Sequence, residues 1–249
     1  MTIHRLEECF LRLDKYLSLT GPTRKQARGM VLTGRVCVNG VVARDVGMNV
    51  SFADEITLDG VSLGAKRELY IMINKPAGML TATEDAHGQK TVIDLLPPEI
   101  QKRGPGPVGR LDKDVTGLVL MTTDGQLAHR LISPKRHIKK IYRAVVEGTP
   151  DENDIRRFSD GIPLSDFTAM PATLTVIEPG ENALCEVAIM EGKFHQVKRM
   201  FGAIEHPVLK LSRLSIGGVT LDPTLAEGGW RELTEDEVAQ LKNLSGISD

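Results

Sequence analysis

The sequence predicts two α+β modules, a small one at the amino end and a larger one built on a largely antiparallel mixed sheet. Two helical segments and a hairpin pattern occupy the first 60 residues, whereas strand patterns without regular βαβ spacing dominate from residue 69 onward. With 249 residues, of which 41% are hydrophobic and 26% charged, the chain can bury a core in each module. The predicted boundaries are 1–60 for the small module, 61–68 for a linker, and 69–249 for the large module.

The small module begins with two predicted helices. Apolar residues recur at helical spacing in the first helix, at Leu13, Tyr16 and Leu17, before Gly21-Pro22 interrupts the chain. Thr23, with Gln26 three residues later, forms a capping-box pattern for the second helix, which Gly34 is placed to end. A hairpin with a type I′ turn at Asn39-Gly40 is predicted to follow.

Basic residues are concentrated in this module, although the whole chain has a net charge of −2. From Arg12 to Arg44 the only acidic residue is Asp14. Such a local excess of positive charge is typical of a surface that binds nucleic-acid phosphates. The residues predicted to contact phosphates are Lys15, Arg24, Lys25, Arg28 and Arg35. A solvated helix face without a partner is the alternative interpretation.

Strands dominate the predicted large module. They are expected at 69–74, 118–122, 142–147, 172–177, 184–190 and 209–216. Helices are predicted at 126–132, 151–158 and near the end of the chain, where Thr234 and Glu237 form a second capping box. Because these helices do not alternate regularly with the strands, the pattern favours an α+β sheet over a doubly wound one.

A glycine-bounded turn in the large module presents one carboxylate between two cations. Asp112 lies between Arg110 and Lys113, after a Gly-Pro-Gly-Pro run at 104–107 that cannot continue a helix. A short buried strand is predicted directly after it. Asp112 is therefore expected on a loop held by rigid structure, a usual place for a catalytic group. An ordinary polar turn is the alternative.

Four ordered segments resemble the RNA pseudouridine synthases, in the branch typified by RsuA. Gly109-Arg110-Leu111-Asp112 with Thr116-Gly117-Leu118 is similar to the family's catalytic signature. Three further segments match its lysine-proline turn, its tyrosine strand and its third active-site element, respectively Ile73–Gly78, Lys140–Ala144 and Glu191–Phe201. The predicted small module likewise resembles the alpha-L RNA-binding domain first described in a ribosomal protein. Together these resemblances span residues 11–241.

The resemblance implies roles for particular residues. Asp112 is the counterpart of the catalytic aspartate, acting either as nucleophile or as base, and Tyr142 is the tyrosine beside the reacting uracil. Lys198 stands where the family places the cation that orients the aspartate, with Arg199 as the rival for that position. The segment after Gly192 is expected to form a helix that buries Phe194, Val197 and Phe201.

Further residues are expected to contact the substrate or to shape the loop. Arg110 is implied to fill the space that a flipped base leaves in the RNA stack. The other expected substrate contacts are His195, Gln196 and Arg199. Lys75 and Pro76 are expected to be structural, and Asp114 is expected to form a surface ion pair with its neighbour Lys113.

Composition and motifs exclude several other classes of function. The three cysteines, Cys9, Cys37 and Cys185, are far apart and odd in number, which argues against a disulfide framework or a zinc site. The sequence has no glycine-rich nucleotide loop, no apolar run near 18 residues and no export signal. We therefore expect no cofactor and no metal, no membrane segment, a cytoplasmic location and a monomer.

The resemblance implies an enzyme that isomerises one uridine of small-subunit ribosomal RNA, with free RNA and a maturing small-subunit particle both open as the substrate. The segment from His195 to Arg199 favours the small-subunit branch. A large-subunit rRNA synthase, a noncatalytic RNA-binding assembly factor and a nucleotide glycosylase stay open as alternatives.

Overall fold

The computed structural model describes residues 11–18, 20–50, 54–63 and 68–247. The chain divides into two compact units, Met1–Arg67 and Glu68–Asp249. Both contain helices and sheets, as the sequence predicts, and the fold class of each is α+β.

The first unit packs two helices against short strands. The helices are α1 (Leu13–Ser18) and α2 (Arg24–Leu32). The strands are β1 (Leu11–Arg12), β2 (Val36–Val38), β3 (Val41–Val42), β4 (Asn49–Val50), β5 (Ile56–Leu58) and β6 (Val61–Ser62). Four of these strands form a sheet in the order β3-β2-β5-β6, and β1 pairs with β4.

Local sequence signals account for the elements of this unit. Thr23 and Gln26 form the predicted capping box, with each side chain bonded to the other residue's backbone amide. Asn39 and Gly40 both have positive φ, 51° and 79°, as the predicted type I′ turn requires. The buried core includes the predicted helix positions, Leu13, Tyr16, Leu17, Ala27 and Val31.

The first unit extends beyond the predicted boundary at residue 60. Val61–Ser62 is β6, which pairs antiparallel with β5. The Tyr16 hydroxyl also donates a hydrogen bond to the Leu63 carbonyl, 3.2 Å away. The start of the predicted linker therefore belongs to the sheet, because the hairpin after Ile56 continues through Asp59-Gly60. Residues 64–67, in the rest of that linker, lie outside the described residues.

The second unit is built on one nine-stranded sheet. Its strands are β7 (Tyr70–Lys75), β8 (Gly106–Pro107), β9 (Thr116–Thr122), β10 (Lys140–Glu147), β11 (Thr173–Glu178), β12 (Asn182–Ile189), β13 (Val208–Ile216), β14 (Val219–Thr220) and β15 (Trp230–Glu232). The main order is β11-β12-β10-β13-β9-β7-β15, with β8 beside β9 and β14 beside β13. Each described strand pairing is antiparallel except that of β9 with β13. The prediction of a largely antiparallel mixed sheet is confirmed.

Helices cover both faces of this sheet. They are α3 (Pro98–Gln101), α4 (Gly125–Ile132), α5 (Glu152–Asp160), α6 (Gln196–Ala203) and α7 (Glu235–Ser245). Side chains alternate along the strands, so that Ile71 and Ile73 pack in one cluster with residues of α5 and α6. Met72, between them, packs in a second cluster with residues of α4 and α7. The strands at the centre of the sheet therefore have an apolar core on each side.

Gly117 allows the two parallel strands to approach closely. It has φ +97°, and a Cβ built there would lie 2.4 Å from the Arg213 carbonyl oxygen and 2.8 Å from the Arg213 amide nitrogen. Both contacts are with backbone, which cannot swing aside. Only glycine therefore fits where the strand that follows the Asp112 loop meets β13.

We predict that Gly117→Ala destabilises the protein by roughly 2–4 kcal/mol, since it combines a strained φ with an overpacked strand contact. Urea denaturation measures the loss. Gly125→Ala is the matched control, because a Cβ at Gly125, the first residue of α4, meets no atom within 4 Å. Equal midpoints for wild type and Gly117→Ala would contradict the close approach.

Candidate active site

A cleft of about 150 Å³ opens in the second unit beside the loop that carries Asp112. Four parts of the chain contribute most of its walls. They are the segment 108–112, the strands β10 and β13, and the segment 191–198, which contribute among others Arg110, Asp112, Lys140, Tyr142, His195, Lys198 and Arg213. The structure thus brings together residues that lie about one hundred positions apart in the sequence.

Lys75 holds the Asp112 loop from beneath. Its side chain is fully buried, and Nζ donates to the carbonyl oxygens of Pro76, Lys113 and Val115 at 3.1, 3.1 and 2.7 Å. Burial lowers the pKa of Lys75 to about 8, although the nearby carboxylates of Asp114 and Asp112 oppose the shift. These contacts agree with the structural role expected for the lysine, because two of the acceptors flank Asp114 in the loop itself.

A threonine ties the other side of the loop. Thr81 Oγ1 donates to the Leu111 carbonyl at 2.9 Å and accepts from the Leu111 amide at 3.1 Å. The residue before Asp112 is therefore fixed through both of its backbone polar groups. Asp112 itself keeps 29% of its side-chain surface exposed, so the rigid loop presents its carboxylate to the cleft.

Two nitrogen-bearing side chains approach the Asp112 carboxylate. His195 Nε2 lies 3.5 Å from Oδ1, and Lys198 Nζ lies 3.7 Å from Oδ2. Lys198 makes its closest contacts with Asp114, at 2.7 Å to both carboxylate oxygens. Lys198 is thus shared by two carboxylates, and at 3.7 Å its interaction with Asp112 is an ion pair rather than a hydrogen bond.

The expected pairing of Asp114 with Lys113 is wrong. The hydrogen bond from Lys198 lowers the pKa of Asp114, whereas Lys113 Nζ donates to Gln89 Oε1 at 2.7 Å. The two side chains leave the loop in different directions, so sequence neighbours do not become contact partners. Lys198, 84 positions after Asp114, is brought in by the packing of α6.

Arg199 does not reach the cleft. Its guanidinium contacts Asp166, lies 3.2 Å from Ser165 Oγ, and stands over the Phe167 ring at 5.3 Å. Consecutive residues of an α-helix point about 100° apart, so only one of Lys198 and Arg199 can face Asp112. The structure therefore does not support the predicted contact of Arg199 with substrate.

The segment before α6 differs from the prediction. His195 has φ 49°, a left-handed conformation that precedes the helix, so α6 begins at Gln196 and not after Gly192. Phe194 consequently lies outside the helix and is 72% exposed instead of buried. Its ring stacks on that of His195 at a centroid distance of 3.8 Å. Val197 and Phe201 are buried as predicted.

Tyr142 and Gln196 both border the cleft but differ in their contacts. Tyr142 is only 7% exposed and stands on β10 with its side chain in the cleft wall. Gln196 is buried, and its amide donates to Glu191 Oε1 at 2.8 Å and accepts from the Lys193 amide at 2.9 Å. These bonds hold the 191–196 segment in shape, which is a different task from the substrate contact predicted for Gln196.

The sequence interpretation missed two basic residues of the cleft, Arg213 and Lys140. Arg213 is 2% exposed, and its Nε donates to the Leu118 carbonyl at 2.8 Å. Burial and, to a smaller extent, the charge of Arg213 lower the pKa of Lys140 to about 8, although the carboxylate of Glu191 opposes the shift. One signal was available. Arg213 follows Leu209 and Leu211 at alternating positions of the predicted strand 209–216, so a charged residue shares the strand face of two apolar ones.

The basic residues predicted to bind phosphates all belong to the first unit. Lys15, Arg24, Lys25 and Arg28 are exposed. Arg35 is also exposed, but its Nε lies 3.0 Å from Asp59 Oδ1 in an ion pair. Arg35 is therefore the weakest candidate for a phosphate contact, because a carboxylate already neutralises much of its charge.

The described residues contain neither a metal-binding cluster nor a membrane-spanning helix. Nowhere in the part of the chain that the structure describes do three or more His, Cys, Asp or Glu side chains form a group that could hold a metal ion. No described helix has both the length and the apolar character needed to cross a membrane.

Comparison with known families matches both units. Residues 69–203 match the RNA pseudouridylate synthase family, and residues 11–56 match the S4 domain. The first match contains Asp112, Tyr142 and Lys198, and the second contains the exposed basic residues of α1 and α2.

Individual relatives match almost the whole chain. An uncharacterized RNA pseudouridine synthase, YtzG, of Bacillus subtilis is 42% identical and matches 92% of this chain and 97% of its own. The ribosomal small subunit pseudouridine synthase A of Vibrio parahaemolyticus is 39% identical, with 94% and 100% covered. The ribosomal large subunit pseudouridine synthase B of B. subtilis is 35% identical, with 94% and 96% covered.

A solved structure agrees with these matches. The crystal structure of a pseudouridylate synthase superimposes with a TM-score of 0.66 at 35% identity, covering 93% of this chain and 99% of the other. The fold, the sequence matches and the order of the two domains therefore indicate the same family. The chain belongs to the RNA pseudouridylate synthase family, with an S4 domain preceding the synthase domain.

Proposed function

We propose that this protein converts one uridine of small-subunit ribosomal RNA to pseudouridine, with Asp112 as the catalytic carboxylate and no cofactor. The observation that carries the proposal is the placement of Asp112. Its carboxylate stands on a loop fixed by Lys75 and Thr81, faces a cleft, and lies within 4 Å of His195 and Lys198.

The reaction requires one bond to break and another to form. The bond from the anomeric carbon C1′ to the uracil nitrogen N1 breaks, the base reorients, and C1′ joins ring carbon C5. The proton that C5 then loses is balanced by a proton gained at N1. Asp112 can act by attacking C1′ or by removing a proton from the sugar, and both routes use the ionised carboxylate. Lys198 Nζ, 3.7 Å from Oδ2, can orient that carboxylate.

The walls of the cleft suit a flipped pyrimidine. Tyr142 offers an aromatic side chain in the wall, and stacking of a base on such a ring is worth roughly 1–3 kcal/mol. Arg110 is exposed at the rim, where it can enter the RNA stack that the flipped base has left. His195 and its stacked neighbour Phe194 border the same opening.

The small-subunit target is supported by the relative named for that subunit, which is 39% identical, and by the segment His195–Arg199. A large-subunit target is the second candidate, because the relative named for that subunit is 35% identical over a similar share of the chain. The position of the modified uridine, in small-subunit or in large-subunit RNA, distinguishes the two candidates.

Mapping pseudouridines across the ribosomal RNA of a deletion strain tests the proposal. One site in small-subunit RNA should lose its modification, and a plasmid carrying the wild-type gene should restore it while one carrying Asp112→Asn should not. A missing site in large-subunit RNA would select the second candidate. An unchanged map would refute the enzymatic proposal and favour a noncatalytic assembly factor, and release of free uracil would identify a glycosylase.

The exposed basic residues of the S4 domain are proposed to bind RNA phosphates. We predict that replacing Arg24, Lys25 and Arg28 together with glutamine weakens binding to the rRNA substrate and lowers the slope of log affinity against log salt by roughly 2–3 in magnitude. Turnover at saturating RNA should change little, because these residues take no part in the chemistry.

Arg35→Gln is the matched control for this triple variant. Since Arg35 is paired with Asp59, its loss should change the salt slope less than the loss of any one of the three. Filter binding between low and high salt measures both slopes. An unchanged slope in the triple variant would show that these residues do not contact phosphates.

We further propose that the protein acts as a monomer, in the cytoplasm, on RNA in a maturing small-subunit particle. Asp112, Tyr142 and Lys198, the residues to which the chemistry is assigned, all border one cleft within the second unit. Activity that depended on protein concentration beyond first order would contradict the monomer.

A further inference from the structure

Arg213 has a buried hydrogen-bond donor that the protein does not use. The side chain lines the cleft and is 2% exposed. Nε donates to the Leu118 carbonyl, but Nη2 is buried without a hydrogen-bond partner among the described residues. Buried donors in native proteins are almost always paired, and one that is not calls for an explanation.

The strand register places Arg213 at the floor of the cleft. It pairs with Tyr142 on β10 and with Gly117 on β9. Residues paired across antiparallel strands project to the same face of a sheet, so the Arg213 and Tyr142 side chains leave the same face, and both border the cleft. Gly117 is the second residue of β9, the strand that follows the Asp112 loop. Arg213 therefore lies between the strand that carries Tyr142 and the strand that follows the Asp112 loop.

The charged groups that the structure describes around Arg213 do not provide a hydrogen-bond acceptor for its Nη2. Lys140 is a second cation of the cleft. The positive charge of Arg213 is close enough to lower the pKa of Lys140. Glu191 is the buried acid of this wall, and its Oε1 already accepts from Gln196 Nε2 and from the Met170 amide, both at 2.8 Å. Leaving a buried donor unpaired costs free energy, which a ligand oxygen would recover.

We propose that Arg213 is the residue that recognises uracil: Nη2 donates to the carbonyl oxygen at ring position 4 of the flipped base. Cytosine carries an amino group at that position. Its N–H donors would face the N–H donors of the guanidinium, so no hydrogen bond would form. A site built to bond one group rejects an analogue that cannot complete the bond. Arg213 thus selects uracil over cytosine.

A phosphate oxygen is the other acceptor that RNA could bring. Arg110 and Lys193 are exposed at the rim of the cleft, where a backbone that stays outside would meet them. A flipped nucleotide enters its pocket base first, so the base reaches the floor while its phosphates remain at the opening. The buried position of Arg213 therefore favours the base.

This inference rests on the proposed function, and its test uses the small-subunit rRNA fragment that contains the mapped uridine. Four versions carry uridine, cytidine, 4-thiouridine or 2-thiouridine at the target position, and fluorescence anisotropy measures the affinity of wild type and Arg213→Met for each. Wild type should prefer uridine over both cytidine and 4-thiouridine by about tenfold, since sulfur accepts hydrogen bonds weakly and a charge-assisted bond is lost. The 2-thio version should bind as uridine does.

In Arg213→Met the preference over cytidine and 4-thiouridine should disappear. The wild-type comparison of uridine with 4-thiouridine needs no variant, so it stands even if Arg213→Met folds poorly. Equal weakening of all four RNAs by the variant, with a flatter salt slope, would identify a phosphate contact and overturn the proposal. Equal binding of the uridine and 4-thiouridine RNAs by the wild-type protein would also overturn the proposal. Pseudouridine formation on the uridine fragment is measured separately, so failure of the proposed function is distinguishable from failure of this inference.

Discussion

Asp112→Asn is expected to lower pseudouridine formation by about a thousandfold or more while RNA binding survives. The amide keeps the shape of the side chain, but it can act neither as nucleophile nor as general base. The loop should keep its conformation, because Lys75 and Thr81 hold it through the backbone carbonyls and amide of neighbouring residues. Tritium release from RNA containing 5-tritiated uridine measures the rate, and filter binding measures the affinity.

Asp114→Asn is the matched control, because it makes the same change two residues away. Asp114 is bonded to Lys198 and is more exposed than Asp112, with 73% against 29% of the side-chain surface accessible. Its loss should lower the rate far less than the loss of Asp112, since Lys198 can still approach Asp112. Activity of Asp112→Asn within tenfold of wild type would refute the assignment of Asp112.

Lys198→Met is expected to have the second largest effect, a loss of about a hundredfold in kcat. Without the ammonium group, Asp112 and Asp114 lose the cation that both carboxylates contact, and the Asp112 carboxylate is less well oriented. The cost in folding free energy should be modest. Both carboxylates are partly exposed, and the large penalty of an unpaired charge applies to a fully buried one.

Arg199→Met is the control for Lys198→Met. Arg199 has the same charge and is the next residue, but its guanidinium contacts Asp166 and Ser165 outside the cleft. Its activity should therefore stay close to that of wild type in the same tritium assay. The opposite result, full activity in Lys198→Met and a large loss in Arg199→Met, would mean that the structure assigns the partner of Asp112 to the wrong residue.

The contrast between Lys198 and Arg199 shows where sequence reasoning stops. Both residues fit the family's pattern, and their spacing alone does not say which one faces the aspartate. The choice is made by the start of α6, which the left-handed conformation of His195 sets. The same backbone feature explains why Phe194, predicted to be buried, stacks on His195 at the surface. A shift of a few residues in a helix start changes which side chains face the cleft.

The sequence by itself determined the elements that depend on neighbouring residues. The capping box at Thr23, the turn at Asn39-Gly40 and the strand after the Asp112 loop all form as predicted, because short-range hydrogen bonds and backbone preferences decide them. The ordered motifs also identified the family that the comparisons show.

Only the tertiary structure decided which distant groups meet. The pairing of Lys198 with Asp114, the bonds from Lys75 to the Lys113 and Val115 carbonyls, and the bond from Arg213 to the Leu118 carbonyl all join residues that are far apart in the chain. Strand order and register set these contacts, and local sequence preference carries no information about either. The physical reason is that a buried charge takes its partners from the space around it, and that space is assembled only when β9, β10 and β13 lie side by side.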